Sequence, residues 1–474
     1  MTNHTVDETF SASSASYVMK NNPEEGILMY HHLRRFAALL LCFVLTGCAA
    51  EQPVGTDSTL LASPVLPVMA PYPNDEEAAF LYNDAGYHAW LDSVRAQERD
   101  NGYTAGLRPF LQRSSSAFLS GAGKENRVYS PLSLYMALAM LAETTAGDTR
   151  AEVMALLGQE SISSLRTQAA DLWNANYRDD GAMTRTLATS LWLSDSAAYH
   201  EDTVRTLADS YYASVYRGTM GSAAYDAALQ TWLDKNTRGL LTQQTRSIHM
   251  SPNTLAAIAS TVAFSARWGS RFSESRSEQR VFHAPDSQQT CTFMCSSGKG
   301  YLYWGEHFQA VRRSFDLGGD MWLILPDEGI SPDDLLQDAE ALSFLTDASD
   351  WAQCDEFLIH LKAPKFDVSS QLDLSEELQA LGVTDVFAPG ADFSPLTGSD
   401  DPIFLSQVQH DARVVIDEEG CEAAAYTVML VMAGAPPQQQ SKLGEIDFIL
   451  DRPFLFVITG ADELPLFVGV VNQP

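Results

Sequence analysis

Glu418-Glu419-Gly420-Cys421-Glu422-Ala423-Ala424-Ala425-Tyr426-Thr427 opens with two carboxylates and a glycine, then runs into small residues. Alanine and glutamate favour helix, so an Ala-rich helix or surface turn is one reading of these residues taken alone. Their surroundings favour another. Residues 414–417 and 453–459 are apolar runs of strand length on either side. Between them stand Met432-Ala433-Gly434-Ala435 and then Pro436-Pro437-Gln438-Gln439-Gln440, which interrupt any regular element. The pattern predicts a long exposed loop over 418–447, strung between two strands.

Working outward, residues 186–193, 255–264, 321–325, 357–362 and 466–471 are further apolar or alternating runs that predict strands. Residues 126–133 read as a strand meeting a helix, with Ser130 as N-cap and Pro131 in the first turn. That helix turns Leu134, Leu138, Met140 and Leu141 inward and stops at Gly147. Thr149-Arg150-Ala151-Glu152 has the spacing of a capping box for the next helix, which stops at Gly158. Leu374, Leu378 and Leu381 mark another helix, ended by Gly382. Helices dominate the first half and strands the second, which implies an α+β fold with mostly antiparallel sheets.

Composition excludes several functions. With 45% hydrophobic and 19% charged residues, the chain can bury a large core. Its formal net charge of −31 argues against nucleic acid, whose phosphates need clustered Lys and Arg, and no basic run suggests a heparin-like site. A Gly-x-Ser-x-Gly elbow, a His-Glu-x-x-His pair and a phosphate-cradling glycine loop are all missing, so catalysis is not expected, nor is any cofactor. Cys291 and Cys295 lie four apart with no second Cys/His pair at ligand spacing, which argues against a metal site. A disulfide and free thiols both fit Cys291, Cys295 and Cys354.

The N-terminus speaks to location. Met29 to Arg35 is basic, and 36–45 is an apolar run too short to span a bilayer permanently. It ends in Leu45-Thr46-Gly47-Cys48, which resembles a bacterial lipobox. That resemblance implies lipidation of Cys48 and an extracytoplasmic protein anchored to a bacterial, outer, membrane; the alternative is a plain secretory signal and a secreted protein. The polar residues before Met29 suggest that Met29 is the true start. Residues 49–101, with Pro53, Pro64, Pro67, Pro71 and Pro73, read as a tether carrying one helix around 80–99. The domain division is therefore 1–48 signal, 49–101 tether, and 102–474 one large domain.

In that domain an ordered series of short motifs resembles the serpins, the serine protease inhibitor family. It runs Asn126 to Ser133; Thr189-Ser190-Leu191-Trp192-Leu193; Phe264-Ser265-Ala266-Arg267-Trp268 with Phe272; Leu323 to Asp327; Pro364-Lys365-Phe366; Leu381 to Phe387; Pro453 to Phe456; and Phe467 to Asn472. The resemblance implies helices around three mostly antiparallel sheets, and makes 418–427 the hinge of an exposed reactive-centre loop. A serine (or cysteine) protease would attack this bait and form an acyl-enzyme. The loop would then insert into the main sheet as a new strand. Serpin insertion is a standard instance of strand addition and strain release. On an inserted strand, Cys421, Ala423, Ala425 and Thr427 share the core face, and Glu422, Ala424 and Tyr426 share the other.

The resemblance further assigns Ser130, Ser133 and His410 to the shutter beneath the opening sheet, with Ser260 standing where the family usually has Asn. It assigns Trp192 to the breach at the top of that sheet. The scissile bond falls about fourteen residues past the hinge glycine, within Met432, Ala433, Gly434 and Ala435, which suits a protease preferring small or apolar residues. A monomer is expected. The rival reading is a serpin-fold surface lipoprotein that binds or chaperones without trapping proteases.

Overall fold

The computed structural model describes residues 58–73, 85–246, 248–348, 351–398, 404–405, 408–421 and 443–474. Within them the fold is α+β, as the residue pattern implies. One sheet is built from β1 (Ser58–Ala62), β2 (Thr184–Ser194), β3 (Ala213–Gly218), β4 (Ala256–Arg267), β5 (Phe366–Asp373), β6 (Gln409–Ile416) and β7 (Gly420–Cys421). Their order in space is β1-β3-β2-β4-β7-β6-β5, and all neighbours are antiparallel except β2 and β3.

The remaining long strands form a second sheet. Its inner strands Phe454–Thr459 and Pro465–Val471 are buried along their whole length, which is why the C-terminal sequence is almost uniformly apolar. Hydrogen bonding thus counts two sheets among the described residues where the resemblance implies three. The strand Ser287–Trp304 accounts for the difference. It is 18 residues long, pairing with Glu278–Ala284 near its start, with Cys354–Pro364 over most of its length, and with Phe308–Ser314 at its end. One continuous strand therefore joins what would otherwise be two sheets.

Two helices sandwich the first sheet. Helix α2 (Pro131–Thr144) begins where expected: the Ser130 side chain accepts from the Ser133 amide, and Pro131 occupies the first turn. It is buried nearly all round, so its pattern is hydrophobic rather than amphipathic. Ile258 of β4 packs in the large core that contains α2. Its neighbours Ala257 and Ala259 point the other way, into a smaller cluster with Leu229 and Trp232 of α3 (Ala223–Asn236).

The capping box expected at Thr149 and Glu152 does not form. The helix Gly147–Leu157 starts three residues earlier than such a box would place it, with Ala146 as N-cap. Both side chains are drawn into tertiary contacts instead. Thr149 Oγ1 donates to Asp385, and the Glu152 carboxylate accepts from the amides of Thr384 (2.6 Å) and Asp385 (2.7 Å). The stop at Gly158 is as the sequence implies, with φ near 69°, where glycine bears no Cβ penalty.

Within the segment 49–101, read as a tether, the described residues 58–73 and 85–101 are packed into the body. β1 pairs along β3, and α1 (Ala85–Arg95) buries Trp90. The indole Nε1–H of Trp90 donates to Asp180 Oδ2 at 2.8 Å, and the Arg178 guanidinium lies 5.3 Å from the indole ring. Of the prolines that suggested a linker, Pro64, Pro67, Pro71 and Pro73 follow the last paired residue, Ala62, so they end the strand without breaking it.

Candidate functional site

Among the described residues the first sheet has a gap between β4 and β6. Between β4 and β6, pairing among the described residues is confined to Gly420 and Cys421, which sit opposite Arg267 and Ala266 on β4, with Cys421 also opposite Ile416 on β6. Among the described residues, the rest of β4 down to Ala256 has a ladder partner on its β2 side only. A cavity of about 220 Å³ opens at this place, walled by Leu138 and Leu141 of α2, Leu229 and Leu233 of α3, Ile258 of β4, and His410 of β6.

The upper end of the gap is held by a compact set of contacts around 417–421. Asp417 Oδ1 accepts from the amides of Glu419 (2.8 Å) and Gly420 (3.1 Å), which turns the chain back alongside β6. Trp268, just past β4, donates its amide to Glu419 O at 3.0 Å and its indole N–H to Asp417 O at 2.8 Å. Trp268 stacks on Phe315 at 4.7 Å, and Arg313 covers Phe272 beside it. Gly420 lies so close to β4 that a Cβ there would meet Ala266 O at 2.2 Å, so only glycine allows this pairing. Cys421 is buried in the core, on the face assigned to it from alternation.

Glu418 is buried at the same end. Its carboxylate pairs with Lys365 and accepts from Ser277 Oγ at 2.8 Å. Burial opposes ionisation here, but the hydrogen bonds from Lys365 and Ser277 outweigh it and hold the carboxyl below its usual range. Glu419 remains exposed and pairs with Arg271 at 3.0 Å.

Lower down, the structure brings Ser130, Ser133, Ser260 and His410 together. Ser133 Oγ donates to Ser260 Oγ at 2.9 Å, and Ser260 Oγ donates back to Ser133 O at 3.0 Å. The Ser130 amide donates to His410 Nε2 at 3.0 Å. The start of α2 is therefore bonded to β4 through one serine and to β6 through the other, across the gap. Accepting that amide proton requires neutral His410 with its proton on Nδ1. Complete burial acts in the same direction and pushes the imidazole down to about 4.

Trp192 is not at the breach. It pairs with Ala257, at the end of the sheet remote from Gly420, and stacks on Tyr216 at 4.3 Å in the small cluster under α3. The tryptophan at the hinge end is Trp268. Both stand at the end of an apolar run, and the antiparallel register of β2 against β4 sends the two indoles to opposite ends. Sequence pattern does not single out Asp417, Lys365 or Ser277 either. An Asp two residues before an amide it can cap is a usable signal for Asp417, whereas Lys365 and Ser277 meet Glu418 only in the folded chain. Cys48, Glu422, Ala423, Ala424, Ala425, Thr427, Met432, Ala433, Gly434 and Ala435 lie outside the described residues.

A family model described as Serpin (serine protease inhibitor) matches residues 110–474. The chain belongs to the serpin family, whose members are in general protease inhibitors. Among curated relatives it is 27% identical to Serpin-ZX of Arabidopsis thaliana over 365 residues, covering 74% of this chain and 92% of that one. Among solved structures it resembles the thermophilic serpin tengpin in its native state, with a TM-score of 0.69 and 25% identity over 80% of this chain and 95% of that one. Human thyroxine-binding globulin, complexed with thyroxine, shares the fold at a TM-score of 0.68 and 19% identity, over 79% of this chain and all of that one.

The shutter geometry carries a pH dependence. A histidine with a folded pKa of about 4 against 6.5 unfolded favours the fold fully above pH 6.5, and this contribution is lost as pH falls toward 4. Its size is on the order of 3 kcal/mol. The unfolding free energy measured by urea should therefore fall between pH 6.5 and 4.5, and His410→Gln should flatten that slope. Equal slopes in both proteins would show that His410 does not set it.

Proposed function

We propose that the protein inhibits serine proteases as a suicide substrate, taking the cleaved loop into the gap between β4 and β6. The observation that carries this reading is the gap itself, bridged only at Gly420 and Cys421 among the described residues. A strand entering there would continue β7 with ladder partners on both sides. In the register begun by Cys421 opposite Ala266, Val431 would come opposite Ala256, the first residue of β4. Strand-forming length thus ends one residue before Met432, which supports a bait bond within 432–435. Small or unbranched neutral residues at that bond suit proteases with shallow or apolar specificity pockets.

Attachment to a bacterial membrane through lipidated Cys48 is part of this proposal, supported by the order of basic segment, apolar run and Leu45-Thr46-Gly47-Cys48. Binding without trapping is the other reading of the same fold, and the same experiment separates the two.

Incubation with a panel of subtilisin-, elastase- and chymotrypsin-like proteases should give a covalent complex that survives a denaturing gel. Ala423→Arg or Ala425→Arg would bury an unpaired charge on insertion. Either variant should be cleaved without complex, by at least a tenfold shift in partition. Cleavage of the unaltered chain with no complex at all would favour the binding protein.

Mass spectrometry of the C-terminal peptide released during inhibition should show a new N-terminus between Ala433 and Ala435. A start at Leu443 would instead point to a trypsin-like target acting after Lys442. For the anchor, Cys48→Ala should move the protein from the membrane fraction to the soluble one, and a variant still in the membrane pellet would refute it.

A further inference from the structure

The described residues 58–73 and 85–95 precede the stretch matched by the family, yet they are clamped to the first sheet at both of its ends. At one end β1 lies along the outer edge of β3, with Ser58 opposite Gly218, Thr59 opposite Arg217 and Leu60 opposite Tyr216. At the other end, the Tyr72 amide donates to Asp180 O at 2.8 Å, and the Tyr72 ring meets Trp90 edge-on at 5.0 Å. The Asp180 side chain is fully buried and also takes the Trp90 indole proton and the Arg178 guanidinium at 2.7 Å. These contacts make the segment a strap with a defined polarity.

Register tells which end is which. Gly218 pairs with Ser194, and Leu193 next to it pairs with Ala256, the start of β4. The hinge glycine pairs with Arg267, the last residue of β4. Eleven residue steps separate these positions, about 36 Å along the strand. Ser58, the first of the described residues, therefore lies at the end of the sheet remote from the hinge. Asp180, beside the pairing of Asp179 with Thr184, lies toward the hinge end.

Extending the register of Cys421 opposite Ala266 carries residues 432–435 just beyond Ala256, which is the Ser58 end. We infer that the strap fixes the attachment of the N-terminal segment at the pole to which a captured protease is carried. Capture then moves the protease from the end farthest from the attachment to the end that bears it. This rests on the inhibitory reading above. In a chain anchored through Cys48, ten residues before Ser58 in sequence, the captured protease comes to the tether's side of the molecule.

Energy transfer measures this directly. A coumarin-bearing amino acid replaces Thr59, whose side chain is exposed on β1, in the full chain, and the protease carries an acceptor dye. Transfer should be weak with a protease whose nucleophilic Ser is changed to Ala, bound to the intact loop, and should rise severalfold in the covalent complex. A covalent complex on the gel without that rise would overturn the placement and leave inhibition standing. Absence of any complex across the panel would overturn both, and the gel alone reports it. Leu60→Pro, placed within the ladder between β1 and β3, should loosen the strap at the labelled end and reduce the rise while complex yield stays the same. An undiminished rise in that variant would show that the strap does not fix the attachment.

Discussion

The structure turns on a strand edge that is left almost without a partner among the described residues. β4 and β6 run side by side as interior strands of one sheet, yet only two residues bridge them among those described. Backbone amides and carbonyls facing such a gap forgo ladder hydrogen bonds, each worth roughly 0.5–1.5 kcal/mol net. A strand added there gains bonds on both sides at once. The apolar residues around the cavity, from Leu138 and Leu141 on one helix to Leu229 and Leu233 on the other, leave that space unfilled instead of collapsing into it. A sheet one strand short is thus the source of any driving force the fold can supply.

Two sets of contacts keep that edge in place, and they work differently. At the hinge, the chain is held by backbone and buried charge: Gly420 against β4, Asp417 capping the turn, Trp268 bonded to both, and Glu418 locked to Lys365 and Ser277. Removing one partner of a buried ion pair strands the other, so this end resists being lifted out. At the shutter, α2 reaches both flanking strands through two neighbouring serines, one to Ser260 and one to His410. Widening the gap must lengthen one of these bonds or shift the helix. Small hydroxyl groups suit such a place, because each donates and accepts and can find a new partner after a shift of an ångström or two.

The long N-terminal segment adds a third element to the same sheet. By pairing β1 to β3 and binding Trp90 to Asp180, it covers the outer edge of the block formed by β3, β2 and β4. An uncovered edge strand invites pairing with another chain, and the strap replaces the edge of β3 with the shorter, five-residue β1. Its outward residues Val65 and Val68 remain exposed, as an extended proline-containing segment can bury only one side.

Much of this was legible in the residues. The strand-to-helix junction at Ser130 and Pro131 and the stops at Gly158 and Gly382 follow from local chemistry, since each depends on neighbours within a few positions. The serpin resemblance, aligned on Phe264 and Trp268, also put Ser260 in the group with Ser133. What tertiary structure alone decided involves partners far apart in sequence. Thr149 and Glu152 have the spacing of a capping box, yet residues near 385 offered them better partners. Trp192 and Trp268 look alike along the chain, and only antiparallel pairing sends them to opposite ends of the sheet. Residues 58–73 look like a linker because their proline content is read locally, whereas the edge of β3 and the Asp180 carboxylate that hold them lie more than a hundred residues away.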